Sequence, residues 1–318
     1  MKIVITGALG HIGSALIRSL PQEFPDIRLV LVDNLLTQRS CSLFDLPDSA
    51  RYSFQEADVT NADMRPVFDG AHAVIHLAAM TEAAASFSRP EEVEANNHQA
   101  TLKVTEACIE TGALLFIPSS TSIYGTTRSS VSEDCSQEEL NPQSPYAASK
   151  LKEERLVEEA VRTKGLRAVT CRFGTIFGTS RGMRFHTAVN KFCWQAVMGI
   201  PLTVWQTALD QKRPYLDLLD ATKAIAFLLR ENLFHGEVYN VVTMNTTVRD
   251  IVDTIRKFVP DIEVCLVKSP SMNQFSYDVS CEKLRRTGFH FKGDLDAAVR
   301  VTVDLLRGAN SERIRSVK

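Results

Sequence analysis

The sequence lacks the features by which several classes of protein are identified. None of its apolar runs approaches the roughly 18 residues of a membrane-spanning helix. Its 36 Lys and Arg residues are balanced by 38 Asp and Glu residues, which gives a formal net charge of −2. A chain without a basic excess lacks the electrostatic field of a nucleic-acid-binding protein. We therefore expect no contact with membranes or nucleic acids.

Clustered cysteines are also missing. The seven cysteines form no C-x-x-C motif and no group with histidine, which argues against a zinc site and a disulfide framework. Cys108 and Cys171 lie in apolar surroundings, as buried reduced thiols do. The chain opens directly on the strand-like segment MKIVITG, which leaves no room for a signal peptide. These observations predict a cytoplasmic protein without a bound metal.

What the sequence does contain is an alternation of short apolar runs and helical patterns over its first 170 residues. Several runs are continuously apolar, as in parallel strands that are covered on both faces. The alternation predicts an α/β fold with a doubly wound parallel sheet of the Rossmann type. The predicted strands are 2–6, 28–33, 52–57, 73–78, 114–119 and 168–173. The predicted helices lie near 12–20, 61–68, 91–111 and 146–163.

This rhythm ends after residue 174. We predict a Rossmann domain over 1–174, joined by a returning strand near 237–242, and a smaller C-terminal α/β substrate lobe over 175–318. Within the second part, the patterns predict a helix near 220–231, a helix with Thr246 or Thr247 as its N-cap, a strand at 262–267 and a closing helix near 294–307.

A glycine-rich loop follows the first predicted strand. The segment TGALGHIG places Gly7, Gly10 and Gly13 between this strand and a helix. Glycines at such a junction allow a tight turn and bring the backbone close to a pyrophosphate at the helix N-terminus. His11 and Ile12 belong to the same loop. The loop predicts a dinucleotide-binding site.

The second predicted strand ends in an acid. Asp33 lies twenty residues after Gly13, where a carboxylate can bind both hydroxyls of an adenosine ribose. The alternative is that Asp33 only caps the next turn. A carboxylate repels a 2′-phosphate, and the nearest following arginine is Arg39. NAD is therefore favoured over NADP, with Asn34 included in the predicted site.

The segment SPYAASK places Tyr146 one helical turn before Lys150. The ammonium group and the positive ring of a bound nicotinamide cofactor are together expected to lower the pKa of the phenol, so that Tyr146 serves as a base. Ser119, Ser120 and Thr121 follow the fifth predicted strand, at the sheet edge where ligands bind. The alternative is an ordinary exposed helix face.

Taken together, these motifs resemble the extended short-chain dehydrogenases/reductases, specifically the nucleotide-sugar epimerase/dehydratase group. The resemblance covers nearly the whole chain and extends the predicted cofactor site. The segment ADVT is similar to the family's adenine contact, HLAA to the strand end beside the cofactor, and VEANNHQAT to the fourth helix with its asparagine. These matches add Asp58, Val59, Leu77, Ala78, Ala79 and Asn96.

The resemblance also implies the catalytic roles. Aligned on SSTSIYG, Ser120 matches the family's catalytic Ser/Thr, with Tyr146 as base and Lys150 as the residue that tunes it and binds ribose. The family's 4,6-dehydratases carry Asp and Glu after this Ser/Thr, and its decarboxylases usually keep a Glu. Here these positions are Thr121 and Ser122. The pattern favours a 4-epimerase that works through a transient 4-keto sugar.

The second half of the chain matches the family less closely. Arg213 is expected on the diphosphate of a nucleotide-sugar, or else on the surface. Thr175 stands where the family often has a substrate-binding asparagine. Arg184, His186 and Asn190 are further predicted substrate residues. His186 is either a base for 3- or 5-epimerisation or a structural histidine.

Three other functions remain open at this level. One is an NAD-dependent dehydrogenase of a small alcohol or hydroxy amino acid, and another is a nucleotide-sugar dehydratase or decarboxylase. The least favoured is a non-catalytic NAD-binding regulator, because the chain keeps Tyr146 and Lys150. The resemblance implies a homodimer that pairs the helices predicted at 91–111 and 146–163.

Overall fold

The computed structural model describes residues 1–81, 85–125, 129–268 and 276–309. Within these ranges the strands are β1 (Lys2–Thr6), β2 (Arg28–Asp33), β3 (Arg51–Glu56), β4 (Ala73–His76), β5 (Leu114–Ser120), β6 (Ser130–Val131), β7 (Ala168–Phe173), β8 (Thr175–Phe177), β9 (Leu202–Trp205), β10 (Lys212–Asp217), β11 (Val238–Val241), β12 (Met244–Thr247), β13 (Val264–Val267) and β14 (Asp278–Val279). The helices are α1 (His11–Glu23), α2 (Arg65–Phe68), α3 (Pro90–Thr111), α4 (Pro145–Lys164), α5 (Ala188–Val197), α6 (Leu218–Arg230), α7 (Val248–Arg256), α8 (Glu282–Arg286) and α9 (Leu295–Leu306).

The large sheet has seven strands in the order β3-β2-β1-β4-β5-β7-β11, and every neighbouring pair is parallel. The chain builds outward from β1 to β3, then returns to the centre and builds outward on the other side from β4. This reversal between β1 and β4 is the point at which doubly wound sheets bind ligands. The predicted α/β fold with a doubly wound parallel sheet is confirmed.

Helices cover both faces of this sheet. On one face α1 and α6 pack together, and Leu16, Ile17 and Leu20 of α1 are fully buried there. On the other face lie α2, α3 and α4, with Val104 and Val157 in the core. Burial on both faces explains why the central strands read as continuous apolar runs.

The predicted helix near 61–68 is shorter than expected. Asp58 accepts hydrogen bonds from the backbone and side chain of Thr60, which hold the preceding residues in a turn. Helix α2 then starts only at Arg65, with Pro66 in its first turn, where the missing N–H of proline costs nothing.

The second half of the chain forms smaller sheets around a separate core. One sheet has the order β12-β10-β8, and β9 pairs with β13. Side chains from α5, α7 and α9, such as Phe192, Ile251 and Val299, pack together in this core. Thr247 is the N-cap of α7 and forms a capping box with Asp250, which confirms one of the two predicted caps. None of the described helices is long and apolar enough to cross a membrane.

Candidate active site

A cleft with about 990 Å³ of empty space, part of it open to solvent, lies at the carboxyl ends of β1, β2 and β4. Residues from the glycine loop, the ends of three strands and helix α3 line it. The lining includes every predicted cofactor residue except Tyr146 and Lys150: Gly7, Gly10, His11, Ile12, Gly13, Asp33, Asn34, Asp58, Val59, Leu77, Ala78, Ala79 and Asn96. The fold thus brings five separate motifs into one cavity.

The glycine loop is close-packed against the sheet. Gly7 has a φ of +66°, and a Cβ there would lie 2.6 Å from the backbone N of Ala78. A Cβ on Gly13 would lie 2.4 Å from the carbonyl oxygen of Ala8. Among the described residues no side chain caps the N-terminus of α1, so its first N–H groups stay available to an anion.

Asp33 caps the turn after its strand, and its ribose contact stays a prediction. Its Oδ1 accepts a hydrogen bond of 3.0 Å from the backbone N of Leu35, which shapes the turn after β2. Its Oδ2 accepts one of 3.0 Å from the backbone N of Leu9 in the glycine loop. These bonds fix the carboxylate at the edge of the cavity.

Arg39 is a lining residue that is absent from the predicted site. Its Nη1 donates to the carbonyl oxygen of Gly182 at 3.0 Å, and it shares the cavity wall with Arg184. A Cβ on Gly182 would lie 2.2 Å from the carbonyl oxygen of Leu9, so the segment around Gly182 rests directly on the glycine loop. The sequence offered no signal for this contact because the two segments are far apart in the chain.

The predicted catalytic residues come from the end of β5 and the start of α4. Ser120 is the last residue of β5, and its Oγ lies 2.8 Å from the Oγ of Ser122. Helix α4 begins at Pro145, and the side chain of Ser144 accepts a hydrogen bond from the N–H of Ala147 as its N-cap. This start places Tyr146 in the first turn of the helix.

The pKa of Tyr146 depends on opposing influences. Burial is the largest influence on the pKa of Tyr146 and raises it, and the charge of Glu153 raises it too. The positive charges of Lys150 and Arg184 lower it. Lys150 therefore acts in the expected direction, but burial outweighs it and the pKa lies above the ordinary value for tyrosine. The expected net lowering also depends on the positive nicotinamide ring of a bound cofactor, and it stays a prediction.

Tyr146, Lys150 and Ser120 do not line the cavity themselves. Arg184 links the two regions, because it lines the cavity and its charge acts on Tyr146. Its Nη2 also donates to the hydroxyl of Thr81, another lining residue, at 2.5 Å. The loop after β4 and the segment after β8 thus meet between the cavity and the phenol.

Arg213 lies beside the loop that follows Ser120. The hydroxyl of Tyr277 donates a hydrogen bond to the carbonyl oxygen of Thr121 at 3.1 Å. Burial lowers the pKa of Arg213, and the nearby Tyr277 offsets part of this lowering. Arg213 Nη2 donates to Oε1 of Gln211 at 2.8 Å. Arg213 is therefore partly buried next to the predicted catalytic loop, unlike the exposed Lys212.

The other predicted substrate residues do not converge. Asn190 is fully buried. Its Oδ1 accepts a hydrogen bond from the N–H of Gly178, and its Nδ2 donates one to the carbonyl oxygen of Gly178, each at 3.1 Å, which gives Asn190 a structural role. Thr175 is exposed and lies outside the cavity lining. Burial, Arg184 and Arg39 lower the pKa of His186 to about 4, so His186 is neutral at pH 7. Their substrate contacts stay predictions.

Sequence reasoning missed a group of buried polar residues behind the catalytic pair. Glu153 pairs with Lys150, Thr101 bonds Glu153, and Asn97 bonds Ser149 and the backbone of Met80. Polar residues on an otherwise ordinary helix pattern give no sign of burial in the sequence. Among the described residues, no group of three or more His, Cys, Asp or Glu is arranged to hold a metal ion.

Relatives among curated proteins include dehydratases and an epimerase. One relative is the trifunctional UDP-glucose 4,6-dehydratase/UDP-4-keto-6-deoxy-D-glucose 3,5-epimerase/UDP-4-keto-L-rhamnose-reductase of Arabidopsis thaliana. The two sequences are 29% identical, and the alignment covers 95% of this chain and 47% of the relative. The chain thus spans about half the length of that relative. It is 30% identical to an uncharacterized UDP-glucose epimerase of Bacillus subtilis, with 76% of each chain covered. It is 28% identical to dTDP-glucose 4,6-dehydratase of Escherichia coli, over 100% of this chain and 96% of the other.

Solved structures share the fold. UDP-glucose 4-epimerase of Thermus thermophilus in complex with NAD matches with a TM-score of 0.80 and 26% identity, over 97% of this chain and 100% of that one. UDP-glucuronic acid 4-epimerase of Bacillus cereus with UDP-glucuronic acid and NAD matches with a TM-score of 0.84 and 23% identity, over 97% of this chain and 99% of that one. The model of the NAD dependent epimerase/dehydratase family matches residues 3–241. With its doubly wound sheet and its glycine-loop cavity, the chain belongs to this family of NAD-dependent enzymes.

Proposed function

We propose that the chain is a nucleotide-sugar 4-epimerase that uses NAD. The observation that carries the proposal is the chemistry next to Ser120, where Thr121 and Ser122 supply only hydroxyl groups. The hydroxyl of Thr121 is itself engaged, because it donates to the carbonyl oxygen of Phe173 at 3.2 Å. Removing water across C5 and C6 needs an acid and a base at this place, and hydroxyl groups serve poorly as either. Inverting C4 needs no acid or base at these two positions, because the proton of the C4 hydroxyl is exchanged by Tyr146.

The residues of the cavity fit NAD. The uncapped N-terminus of α1 offers N–H groups to a diphosphate, and the fixed carboxylate of Asp33 offers acceptors to ribose hydroxyls. His11 Nε2 is buried and has no hydrogen-bond partner among the described residues, so it is available to a ligand. NAD, when bound, supplies a nicotinamide ring that accepts and returns a hydride.

The chain's own residues then transfer the proton of the substrate and bind the substrate and the cofactor. Tyr146 takes the proton of the C4 hydroxyl as the ketone forms and gives it back after the sugar has turned over. Ser120, supported by Ser122, donates a hydrogen bond to the same oxygen, and Lys150 holds a nearby ribose and stabilises the phenolate. Arg213 binds the diphosphate of the substrate with its planar pair of donors.

A 4,6-dehydratase is the second candidate, because relatives with that activity match along most of the chain. The two reactions share the oxidised 4-keto sugar and differ afterwards. A dehydrogenase of a small alcohol would differ in another way, since NADH would accumulate with its substrate.

One experiment separates these outcomes. The purified protein is incubated in D2O with a panel of UDP-, dTDP-, GDP- and CDP-sugars, and the products are followed by NMR. Inversion at C4 without deuterium uptake at C3 or C5 is the expected result. A product with a C6 methyl group would identify a dehydratase, and deuterium at C3 or C5 would identify enolisation. No conversion of any sugar, with NADH formed from a small alcohol, would overturn the proposal.

The quaternary state and the location of the protein stay predictions. A homodimer through α3 and α4, which pack side by side along one face of the sheet, is proposed on the family resemblance. Light scattering of the purified protein tests it, with a mass of about twice the 35.4 kDa of the chain as the expected result. The cytoplasmic location rests on the sequence reasoning alone.

A further inference from the structure

Lys150 has a carboxylate partner of its own. Its Nζ lies 2.8 Å from Oε2 of Glu153, three residues further along α4, and both side chains are only 4% exposed. A buried ammonium group without a counter-ion tends to lose its proton, because burial disfavours the charged form. The pairing with Glu153 therefore helps to keep Lys150 charged inside the protein, together with the charges of Tyr146 and Glu154.

The carboxylate of Glu153 is fixed from several sides. Thr101 Oγ1, on α3, donates to Oε2 at 3.0 Å, and Ser149 Oγ lies 3.5 Å from Oε1. Thr101 Oγ1 also lies 3.4 Å from Nε2 of His76, whose Nδ1 is 2.7 Å from the hydroxyl of Thr6. Glu153 is thus anchored to a second helix and to the sheet, and it holds Lys150 in place.

The charge of Glu153 also reaches the phenol. After burial, which raises the pKa of Tyr146, the largest influences are Lys150, which lowers it, and Glu153, which raises it again. Arg184, from the segment after β8, lowers it as well. Glu153 therefore opposes the two cations that would make the phenol a stronger acid.

The remaining charged groups near this pair are accounted for. Glu154 acts on Lys150 but is bound through both of its oxygens by Arg172. His76 is neutral, because burial and the charge of Lys150 lower its pKa to about 3. The charges that act on Tyr146 are those of Lys150, Glu153 and Arg184.

We propose that Glu153 is a positioning residue of the predicted catalytic pair: it fixes the ammonium of Lys150 and adds a buried negative charge on the helix face that carries Tyr146 and Lys150. The inference rests on the proposed function in one respect, because it takes Tyr146 as the acid–base group. It goes beyond it by giving the pair a third, buried member.

The test compares Glu153→Gln, which removes the charge and keeps the shape, with the wild type. The phenolate absorbance of each NAD-loaded protein is titrated, and the same titration of its Tyr146→Phe counterpart is subtracted to isolate Tyr146. Lys150 should stay protonated in this variant, because the charges of Tyr146 and Glu154 also raise its pKa. Removing the negative charge of Glu153 should therefore move the Tyr146 transition to lower pH, by about one pH unit. The alkaline rise of kcat/KM for the sugar should move in the same direction, because the rate increases as Tyr146 loses its proton.

Glu158→Gln is the matched control, since Glu158 is exposed on the same helix and should leave both curves unchanged. No shift, or a shift to higher pH, in a Glu153→Gln variant that melts cooperatively would overturn the inference. The titration needs no turnover, so a protein that converts none of the sugars would refute the proposed function while Glu153 is still tested.

A second variant covers the case in which Glu153→Gln does not fold. Glu153→Asp keeps the charge but shortens the side chain, so that it no longer reaches Lys150 at the 2.8 Å of the native pair. We expect kcat to fall several-fold at an unchanged KM, with the Tyr146 transition near its wild-type pH. An unchanged kcat in this variant would contradict the positioning role.

Discussion

The two halves of the candidate active site, the predicted cofactor side and the predicted substrate side, differ in how well the sequence describes them. On the cofactor side, the glycine loop, Asp33, Asp58 and the segment Leu77–Ala79 all line one cavity. On the substrate side, Arg213 lies beside the catalytic loop, whereas Asn190 bonds backbone and Thr175 faces solvent. The residues of the first half lie at or just after the ends of strands of the large sheet, and those of the second half lie in loops, in a helix or in short strands of the smaller sheets.

This difference has a physical cause. The carboxyl ends of neighbouring parallel strands meet at one edge of the sheet, so a motif that follows a strand has a known location. A side chain in a loop or a short edge strand can point in several directions, and packing from distant segments decides among them. The following predictions test whether this division holds.

The largest effect is expected at the phenol. Tyr146→Phe should reduce turnover by about 10²- to 10⁴-fold, because the variant loses the group that exchanges the substrate proton. The amount of NAD that the purified protein carries should stay unchanged, since the cofactor cavity is lined by other residues. Rates are measured by NMR of the converted sugar, and NAD by absorbance after denaturation. Wild-type rates would remove Tyr146 from the mechanism.

The second prediction compares two glycines. The sequence analysis identified Gly13 as part of the glycine loop, whereas only the structure showed the close packing of Gly182. A Cβ would approach backbone oxygen to 2.4 Å at Gly13 and to 2.2 Å at Gly182. Gly13→Ala and Gly182→Ala should therefore each lower the free energy of unfolding by about 1–3 kcal/mol and weaken NAD binding. Gly308→Ala, where nothing lies within 4 Å, is the control. Calorimetric titration with NAD and urea denaturation provide the readouts, and normal NAD affinity in Gly182→Ala would separate the segment from the cofactor site.

A smaller effect is expected at the arginine beside the catalytic loop. Arg213→Ala should raise KM for the nucleotide-sugar about 10- to 100-fold, because a charged hydrogen bond to phosphate is worth about 1.5–3 kcal/mol. Arg213→Lys should recover only part of this loss, since it cannot form the paired hydrogen bonds. Lys212→Ala, at the neighbouring exposed position, should leave KM nearly unchanged. Equal effects at both positions would mean that only the general charge of this region matters.

The smallest effect on catalysis is expected at Asn190. Its side-chain amide forms two hydrogen bonds with the backbone of Gly178. Asn190→Ala should therefore destabilise the fold by about 1–3 kcal/mol and leave KM unchanged. Urea denaturation and steady-state kinetics are measured on the same preparation. A raised KM at normal stability would instead support the sequence-based prediction of a substrate contact.

The sequence by itself determined the doubly wound parallel sheet, and it predicted residues that line one cavity at the carboxyl edge of that sheet. These features depend on the period of apolar residues and on glycines at strand ends, and both are local patterns. Tertiary structure alone decided the contact of Gly182 with the glycine loop, the role of Asn190 and the pairing of Lys150 with Glu153. Each of these depends on which groups share a buried space, and segments far apart in the chain settle that together.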